Sequence, residues 1–440
     1  MAEKGAPRRA IARFAGAYIL FTIAALAGSY LQAETDWGLW VANEASSLQP
    51  RNDSLFNPDQ RLFDPPGASN DLLANGRLSF KLADNRIRLQ AAAAGRVSSA
   101  AETHSRLLLR EAFAVFTITQ NLDFSVGKKL VKWGTGIGFN PTGFADPPKD
   151  PADPNDRLGL NEGSELAQAN YVRGDQSFDV IYFAPRLYFT HDSIRSRDRL
   201  AFRYNRLWRG LDISAVGLLA SGSANKIGAN FSYVLGSPLE LHGELALSRP
   251  RGGQAKELFL AGLGIAPPDG SEGSFAKPRD LLAQSVLGGS YTLRSGWTLT
   301  AEWHHDGEGL DHAENRLLYS QMAADSLLAR EALTTGDPNG LAALARLTGA
   351  AQRLAGIRQN QDTLFLMAGV IWGHEKYSLQ AVALRELQDR SMALIPNLNA
   401  QLQRHWQLYL RPCFFVGRAK SQYGSQIYGS VFTVGLRYNL

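Results

Sequence analysis

Along most of this chain, segments of about ten residues alternate apolar and polar side chains, and no other feature restricts the possible folds as much. A period of two sends successive side chains to opposite faces of a β-strand. The pattern predicts strands near 72–83, 86–98, 104–118, 121–133, 164–174, 177–189, 198–209, 211–220, 225–236, 239–249, 281–294, 297–305, 361–373, 376–386, 389–400, 404–418 and 425–440. A first strand near 35–42 makes eighteen.

The connections supply an independent constraint. Asp84-Asn85, Gln120-Asn121, Asp175-Gln176, Gly236-Ser237-Pro238, Ser295-Gly296 and His374-Glu375 read as tight hairpin turns. The long pieces 43–71, 134–163, 250–280 and 306–360 each follow an odd-numbered strand, so long and short connections sort to opposite ends. An outer-membrane barrel shows this sorting, with short periplasmic turns and long extracellular loops, whereas a soluble sandwich has no reason to keep it. An even count brings the last strand beside the first, leaving no open edge. The expected fold class is all-β: a transmembrane antiparallel β-barrel of 34–440, with 134–163, 250–280 and 306–360 extracellular.

Length allows two ordinary domains or one large β-architecture, and composition, 45% hydrophobic and 20% charged, does not choose. Of the formal charge of +5, Lys4, Arg8, Arg9 and Arg13 against Glu3 hold three units, leaving about two for the remainder. That is too little to indicate a nucleic-acid partner. Residues 1–33 have the layout of a secretory signal peptide: a basic stretch, a short apolar run from Phe14 to Leu26, then small residues. Cleavage after Ala33 and after Ala27 both fit, and a retained anchor is the alternative. Cys413 is the single cysteine, so one chain holds no internal disulfide and no cysteine-based metal or redox site.

Alternation also sorts the charges. Arg77, Lys81, Arg86, Arg88, Arg96, Arg199, Arg203, Lys226, Arg411 and Arg437 are expected to line the lumen, with Asp123, Asp212, Glu240, Glu244 and Glu302. A wall with twice as many bases as acids attracts anions. Lys128-Lys129 and Arg206 do not all point inward in an unbroken alternation, so either a bulge shifts the phase or they stand above the lipid. Trp208, Tyr204, Tyr233, Trp406 and Tyr438 fall near strand ends, where interface aromatics belong.

The most distinctive stretch is 110–162: Arg110-Glu111-Ala112-Phe113, a hairpin to Gly127-Lys128-Lys129, then Trp133-Gly134 and Asn140-Pro141. It resembles the barrel signature of alginate-export-like outer-membrane porins, in which an Arg-Glu-Ala-aromatic strand precedes a Gly-Arg-Gln strand, a Trp-Gly and an Asn-Pro. Lys128-Lys129 stands where that family has Arg-Gln. The resemblance covers about 50 of the 440 residues and implies a substrate-conducting barrel. The terminal Tyr438-Asn439-Leu440 resembles the closing signal of outer-membrane proteins, with leucine where phenylalanine is usual.

On the residues themselves, Trp133-Gly134 is expected to end a strand at the external interface, followed by a stiff acidic surface loop carrying Asp146 to Asp156. Its spacing matches no calcium loop, and Gly134-x-Gly136-x-Gly138 lacks the context of a phosphate cradle. Residues 311–333 and 339–357 read as helices that fold over or into the mouth, with Asp337-Pro338 starting the second. Glu302, His304, His305 and Asp306 could offer an acid and a base, but no nucleophile joins them. The expectation is a non-enzymatic pore, without cofactor or metal, for an anionic or polyhydroxylated solute or saccharide. Its partners are outer-membrane lipid, lipopolysaccharide and the barrel-assembly machinery. The competing expectation is a non-transporting envelope barrel serving assembly, adhesion or electron conduction.

Overall fold

The computed structural model describes residues 34–440 apart from 58–59, 61–63, 83–85, 100–102, 148, 150, 152–160, 184–197, 222–223, 250–280, 336 and 355–359. The expected leader 1–33, the connection 250–280 and the turn Asp84-Asn85 therefore lie outside the described residues.

Eighteen antiparallel strands form one closed sheet, each paired with its neighbours in sequence. They run β1 (Glu34–Pro50), β2 (Ala68–Leu82), β3 (Ile87–Ser99), β4 (Thr103–Thr119), β5 (Leu122–Lys129) and β6 (Ser164–Arg173). Then follow β7 (Gln176–Phe183), β8 (Arg199–Trp208), β9 (Leu211–Ala220), β10 (Asn225–Leu235), β11 (Leu239–Arg249) and β12 (Leu282–Thr292). The last six are β13 (Thr298–Asp306), β14 (Asp362–Trp372), β15 (Tyr377–Glu386), β16 (Met392–Gln401), β17 (Trp406–Val416) and β18 (Tyr428–Asn439). β18 closes on β1 from Trp40↔Asn439 to Gln49↔Ser430, so every strand has two partners.

One end carries the tight turns. Gly174, Gly210, Gly236, Gly296 and Gly373 all sit there at positive φ, between 60° and 85°. Hairpin turns of this hand match the twist of the strands they join, and glycine takes them without a Cβ clash. The opposite end carries the long connections. Several strand bounds differ from the sequence reading, among them two that place lumen residues: β1 runs eight residues past Ala42, and β5 stops at Lys129 instead of 133. The second difference has a cause, because the chain leaves the wall at Lys129 and turns inward.

Alternation holds on the outer face, where Leu219, Ile227, Leu245, Leu287, Ile371 and Val434 stand exposed. Trp37, Trp208, Trp372, Tyr377 and Trp406 ring that face at the turn end. Tyr438 packs on Trp406 with ring centroids 4.8 Å apart. On the inner face Gly435 leaves room for the Tyr409 ring, whose hydroxyl donates to Glu44 at 2.7 Å.

The connection between β13 and β14 holds two helices, α1 (His312–Thr335) and α2 (Pro338–Leu354). Asp311 starts α1 with a reciprocal cap: its carboxylate accepts from the Ala313 and Glu314 amides at 2.8 and 2.9 Å, while Glu314 accepts from the Asp311 amide. Asp337 caps α2 through the Gly340 amide at 3.2 Å. Leu318, Tyr319, Met322, Ala343 and Leu347 bury themselves with Leu55 and Phe56 of the β1–β2 connection, and Ala419 and Ile427 of the β17–β18 connection pack on them. The helical pair thus reaches from β13 and β14 to β1 and β18 across the loop end.

Candidate functional site

A bulge in β4 starts the construction. The β3–β4 register shifts between Ala92, opposite Glu111, and Ala93, opposite Leu109, leaving Arg110 as the extra residue. Both Arg110 and Glu111 then reach the connection that follows β5. Glu111 accepts from the Leu130 amide at 3.0 Å, where the chain enters the barrel. Arg110 donates to the Asn161 carbonyl at 3.2 Å, and its own carbonyl accepts from Gly163 at 2.9 Å, where the chain returns. Gly127, at φ 126°, faces Phe113 so closely that a side chain there would collide with it.

Between these stems the chain crosses the interior. Glu244 on β11 accepts from the amides of Gly136 (2.6 Å) and Thr142 (2.8 Å) and from the Thr142 hydroxyl (2.6 Å). Glu302 on β13 accepts from the amides of Ile137 and Gly138, and from His242 Nε2 at 2.7 Å. Asn230 on β10 donates to the Trp133 carbonyl and the Thr142 hydroxyl. Alternating glycines make the close approach possible: a Cβ on Gly134 would lie 2.9 Å from Glu244, and one on Gly138 2.8 Å from Phe365. The Gly-x-Gly-x-Gly run is a carboxylate grip whose two anions come from the wall.

Apolar side chains seal the same region. Val131, Trp133, Phe144 and Ala145 pack on Leu166, Ile181, Phe183, Ala201, Val216, Leu218 and Ala246. Phe139 enters a second cluster with Val286, Phe365, Val382, Leu384, Ala393 and Ile395. It also stacks on His304 at 4.2 Å. Two expectations are corrected here. Trp133 is not an interface aromatic: it is 3% exposed, inside the barrel, with Arg203 over its ring. The described part of 134–163 is not a solvent-facing surface loop, because its amides and apolar side chains find partners on the inner wall. Asn140-Pro141 turns the chain there, with Asn140 Oδ1 accepting from the Lys149 amide at 2.9 Å.

The remaining wall is wetter. Arg77 pairs with Asp36 at 3.0 Å, Arg88 with Asp123 at 2.8 Å and Arg96 with Asp71 at 2.7 Å. Arg77 keeps 56% of its side chain exposed, against 22% for Arg203, which is paired with buried Asp179 below the inserted segment. Lys81 stands opposite Arg88 in the β2–β3 register. Arg86 lies in the turn before β3, not on a strand. Arg411 pairs with Glu44, Arg437 lies over the Trp40 ring, and Arg199 lies over the Phe183 ring. Lys226 shares the inner face with Leu218, Asp212 accepts from Asn205, and Glu240 accepts from Ser232 at 3.0 Å. Lys128 is buried with Glu162, and Lys129 donates to Gln168 at 2.8 Å. Asp36, Glu44, Asp71, Glu111 and Asp179 thus add five acids to the inner face, and the two-to-one excess of bases disappears.

His305 pairs with Asp362 at 2.9 Å, so Glu302, His304 and His305 are each committed to structural partners. Asp146, expected in a solvent-facing acidic loop, is instead partly buried. This carboxylate, on the inserted segment, accepts from the Trp133 amide at 2.8 and 2.9 Å, and burial pushes its pKa up to about 6. A folded-state pKa above the unfolded one means that the docked segment takes up a proton which the free segment does not. Docking should therefore strengthen as pH falls through about 6 and weaken above it. Trp133 fluorescence quenching by acrylamide should fall between pH 7 and 5 in the parent and stay flat in Asp146→Asn; equal slopes would refute the assignment.

No family model and no curated protein sequence matches this chain. Among solved structures, Pseudomonas aeruginosa OccK5 (OpdH) superposes with a TM-score of 0.50 at 11% identity, covering 92% of this chain and 98% of that one. Pseudomonas aeruginosa OccK11 (OpdR) gives 0.49 at 12% identity, over 92% and 96%. A triple mutant of Rhodopseudomonas blastica porin gives 0.42 at 9% identity, over 92% and 100%. The likeness to OccK5 shows the closed barrel fold.

Proposed function

We propose that this chain is an outer-membrane pore, exported by residues 1–33, whose solute path follows the wall formed by β18 and β1–β5. The exposed arginines there, each paired with an aspartate and facing a half-lumen filled by the inserted segment, carry the proposal. A bilayer covers an apolar outer girdle of this kind, and charged rows on the opposite face suit a water-filled channel. Long connections mark the extracellular end in this orientation and tight turns the periplasmic end. Alternating guanidinium and carboxylate groups hydrogen-bond hydroxyls readily, so the path suits polyhydroxylated or anionic solutes such as small saccharides. Because each arginine has its acid, the preference for anions is modest.

The purified protein in a planar bilayer should show discrete openings. Gln at Arg77, Lys81, Arg86 and Arg88 together should move the reversal potential toward cation preference; Asp36→Asn with Asp123→Asn should move it the other way. Both shifts should grow at low salt, where screening is weaker. Conductance with an unmoved potential in both variants would take the path away from this wall. The covered mouth favours a second reading, a non-conducting envelope scaffold, and silence in the bilayer would establish it.

A further inference from the structure

At the loop end, outside the lumen, a polar cavity of about 800 Å³ is lined by His312, Asp362, Leu387, Gln388, Asp389, Arg390, Val416, Gly417 and Arg418. Its acids are already used. Asp362 accepts from His305 and Gln388, both at 2.9 Å. Asp389 accepts from the Ser391 amide and hydroxyl on one oxygen, and from the Gln422 amide and Asn360 on the other. All four carboxylate oxygens therefore have donors. The Arg390 and Arg418 guanidinium groups, in contrast, make no ion pair or hydrogen bond with any described residue, and both are exposed. Two guanidinium groups facing one cavity suit an anion with several acceptor oxygens.

Its apolar side decides the source of that anion. Val416 and Leu387 are exposed on the outer face, 53% and 45%. Val416 pairs with Met392, and Leu394, two residues along the same face, begins an apolar depression of about 600 Å³. One rung of that depression is Gly289↔Ala301↔Leu366↔Ala383↔Leu394, and the next contains Ala368↔Ala381. Small residues on the outer wall of β12–β16 thus leave a trough that leads up to the cationic cavity. A soluble anion would have no use for the trough.

We propose that the two form one binding site for a phosphorylated outer-leaflet lipid: Arg390 and Arg418 hold the headgroup phosphate, and the trough on β12–β16 seats an acyl chain. The inference rests on the orientation given above for the leaflet it assigns, but binding itself is measurable without it. Native mass spectrometry of the full-length protein, released from detergent micelles titrated with lipid A, should show one saturable adduct. Arg390→Gly suits the φ of 63° at that position and so preserves the loop. Combined with Arg418→Gln it should weaken the adduct at least tenfold. Ala368→Leu with Ala381→Leu fills the trough without placing a polar group in lipid, and should weaken it too. Arg209→Gln with Arg404→Gln, at the turn end, should leave it unchanged.

Unaltered affinity in the Arg390/Arg418 variant, or equal binding of dephosphorylated lipid A, would overturn the proposal. So would displacement by inorganic phosphate at matched concentration, which would mark a free-anion site. Bilayer conductance of the same variants should equal that of the parent. A protein that binds lipid A as described but never conducts would reject the pore and keep this site.

Discussion

The double variant Glu244→Ala, Glu302→Ala is expected to conduct several-fold more current than the parent protein, because it removes the carboxylates that hold residues 136–142 across the lumen. The two carboxylates accept from the amides of Gly136, Ile137, Gly138 and Thr142, from the Thr142 hydroxyl and from His242. A hydrogen bond to a charged group contributes about 1.5–3 kcal/mol, and each amide left buried without an acceptor costs about 1–3. Apolar packing of Trp133, Phe139 and Phe144 opposes release. Even if water recovers half of the loss, several kcal/mol remain, and every 1.4 kcal/mol is about tenfold in the docked-to-free ratio. The wall should survive, since both positions face inward and the ladder of β11 and β13 does not depend on them.

Singles order the effect. Glu302→Gln keeps one acceptor oxygen for Ile137 or Gly138 and should give brief openings to the larger level rather than a permanent one. A double variant that folds, inserts and conducts at the parental level would show that the inserted segment does not obstruct the path. Asp146 acts at the segment's entry, so Asp146→Asn should change how often the segment leaves at neutral pH and not the size of the released conductance.

How much of this was legible beforehand follows from the kind of signal each part leaves. Strand number and closure depend on local alternation and on glycines at tight turns, both written in neighbouring residues. The hold on the inserted segment joins residues 108 and 164 positions apart, Gly136 with Glu244 and Gly138 with Glu302, and no local period records that. A usable trace did exist. Ile181 and Phe183, Val216 and Leu218, Val382 and Leu384, and Ala393 and Ile395 place apolar side chains on inner positions, where a water-filled lumen gives them no partner. Strands apolar on both faces within a barrel mark the wall against which something packs.

The inner charge balance escapes the sequence pattern for a different reason, the placement of strand ends. Glu44 fell beyond a first strand read as ending at 42, and Asp71 one residue before the second, yet both face the lumen and neutralise Arg411 and Arg96. The motif Arg110-Glu111 was recognisable as a string, but its role needed the bulge that turns both side chains toward the stems of the inserted segment. Lys128-Lys129 shows the same limit: Gly127 breaks the phase, after which one lysine meets Glu162 and the other Gln168.

Removing Tyr438, Asn439 and Leu440 is expected to abolish the assembled barrel. Tyr438 and Asn439 stand opposite Val41 and Trp40 across the closing seam, and Tyr438 also stands opposite Trp406 on the other side. The Asn439 amide donates to the His405 carbonyl and the Leu440 amide to the Leu39 carbonyl, both at 2.8 Å. Truncation orphans both carbonyls, and it strips the Trp406 ring of its neighbour. In a soluble sheet, water would take up the freed groups; at an apolar interface each unsatisfied group costs several kcal/mol, and an open edge remains available for wrong pairing. The truncated chain should migrate as unfolded polypeptide on gels without heating and be nearly absent from the outer membrane. Leu440→Phe keeps the amide and the apolar contact, so it should assemble at parental levels. Folded truncated barrel at normal abundance would mean that the seam between β1 and β18 carries little of the closure, since the seam's remaining pairs, from Ala42↔Arg437 to Gln49↔Ser430, would have sufficed alone.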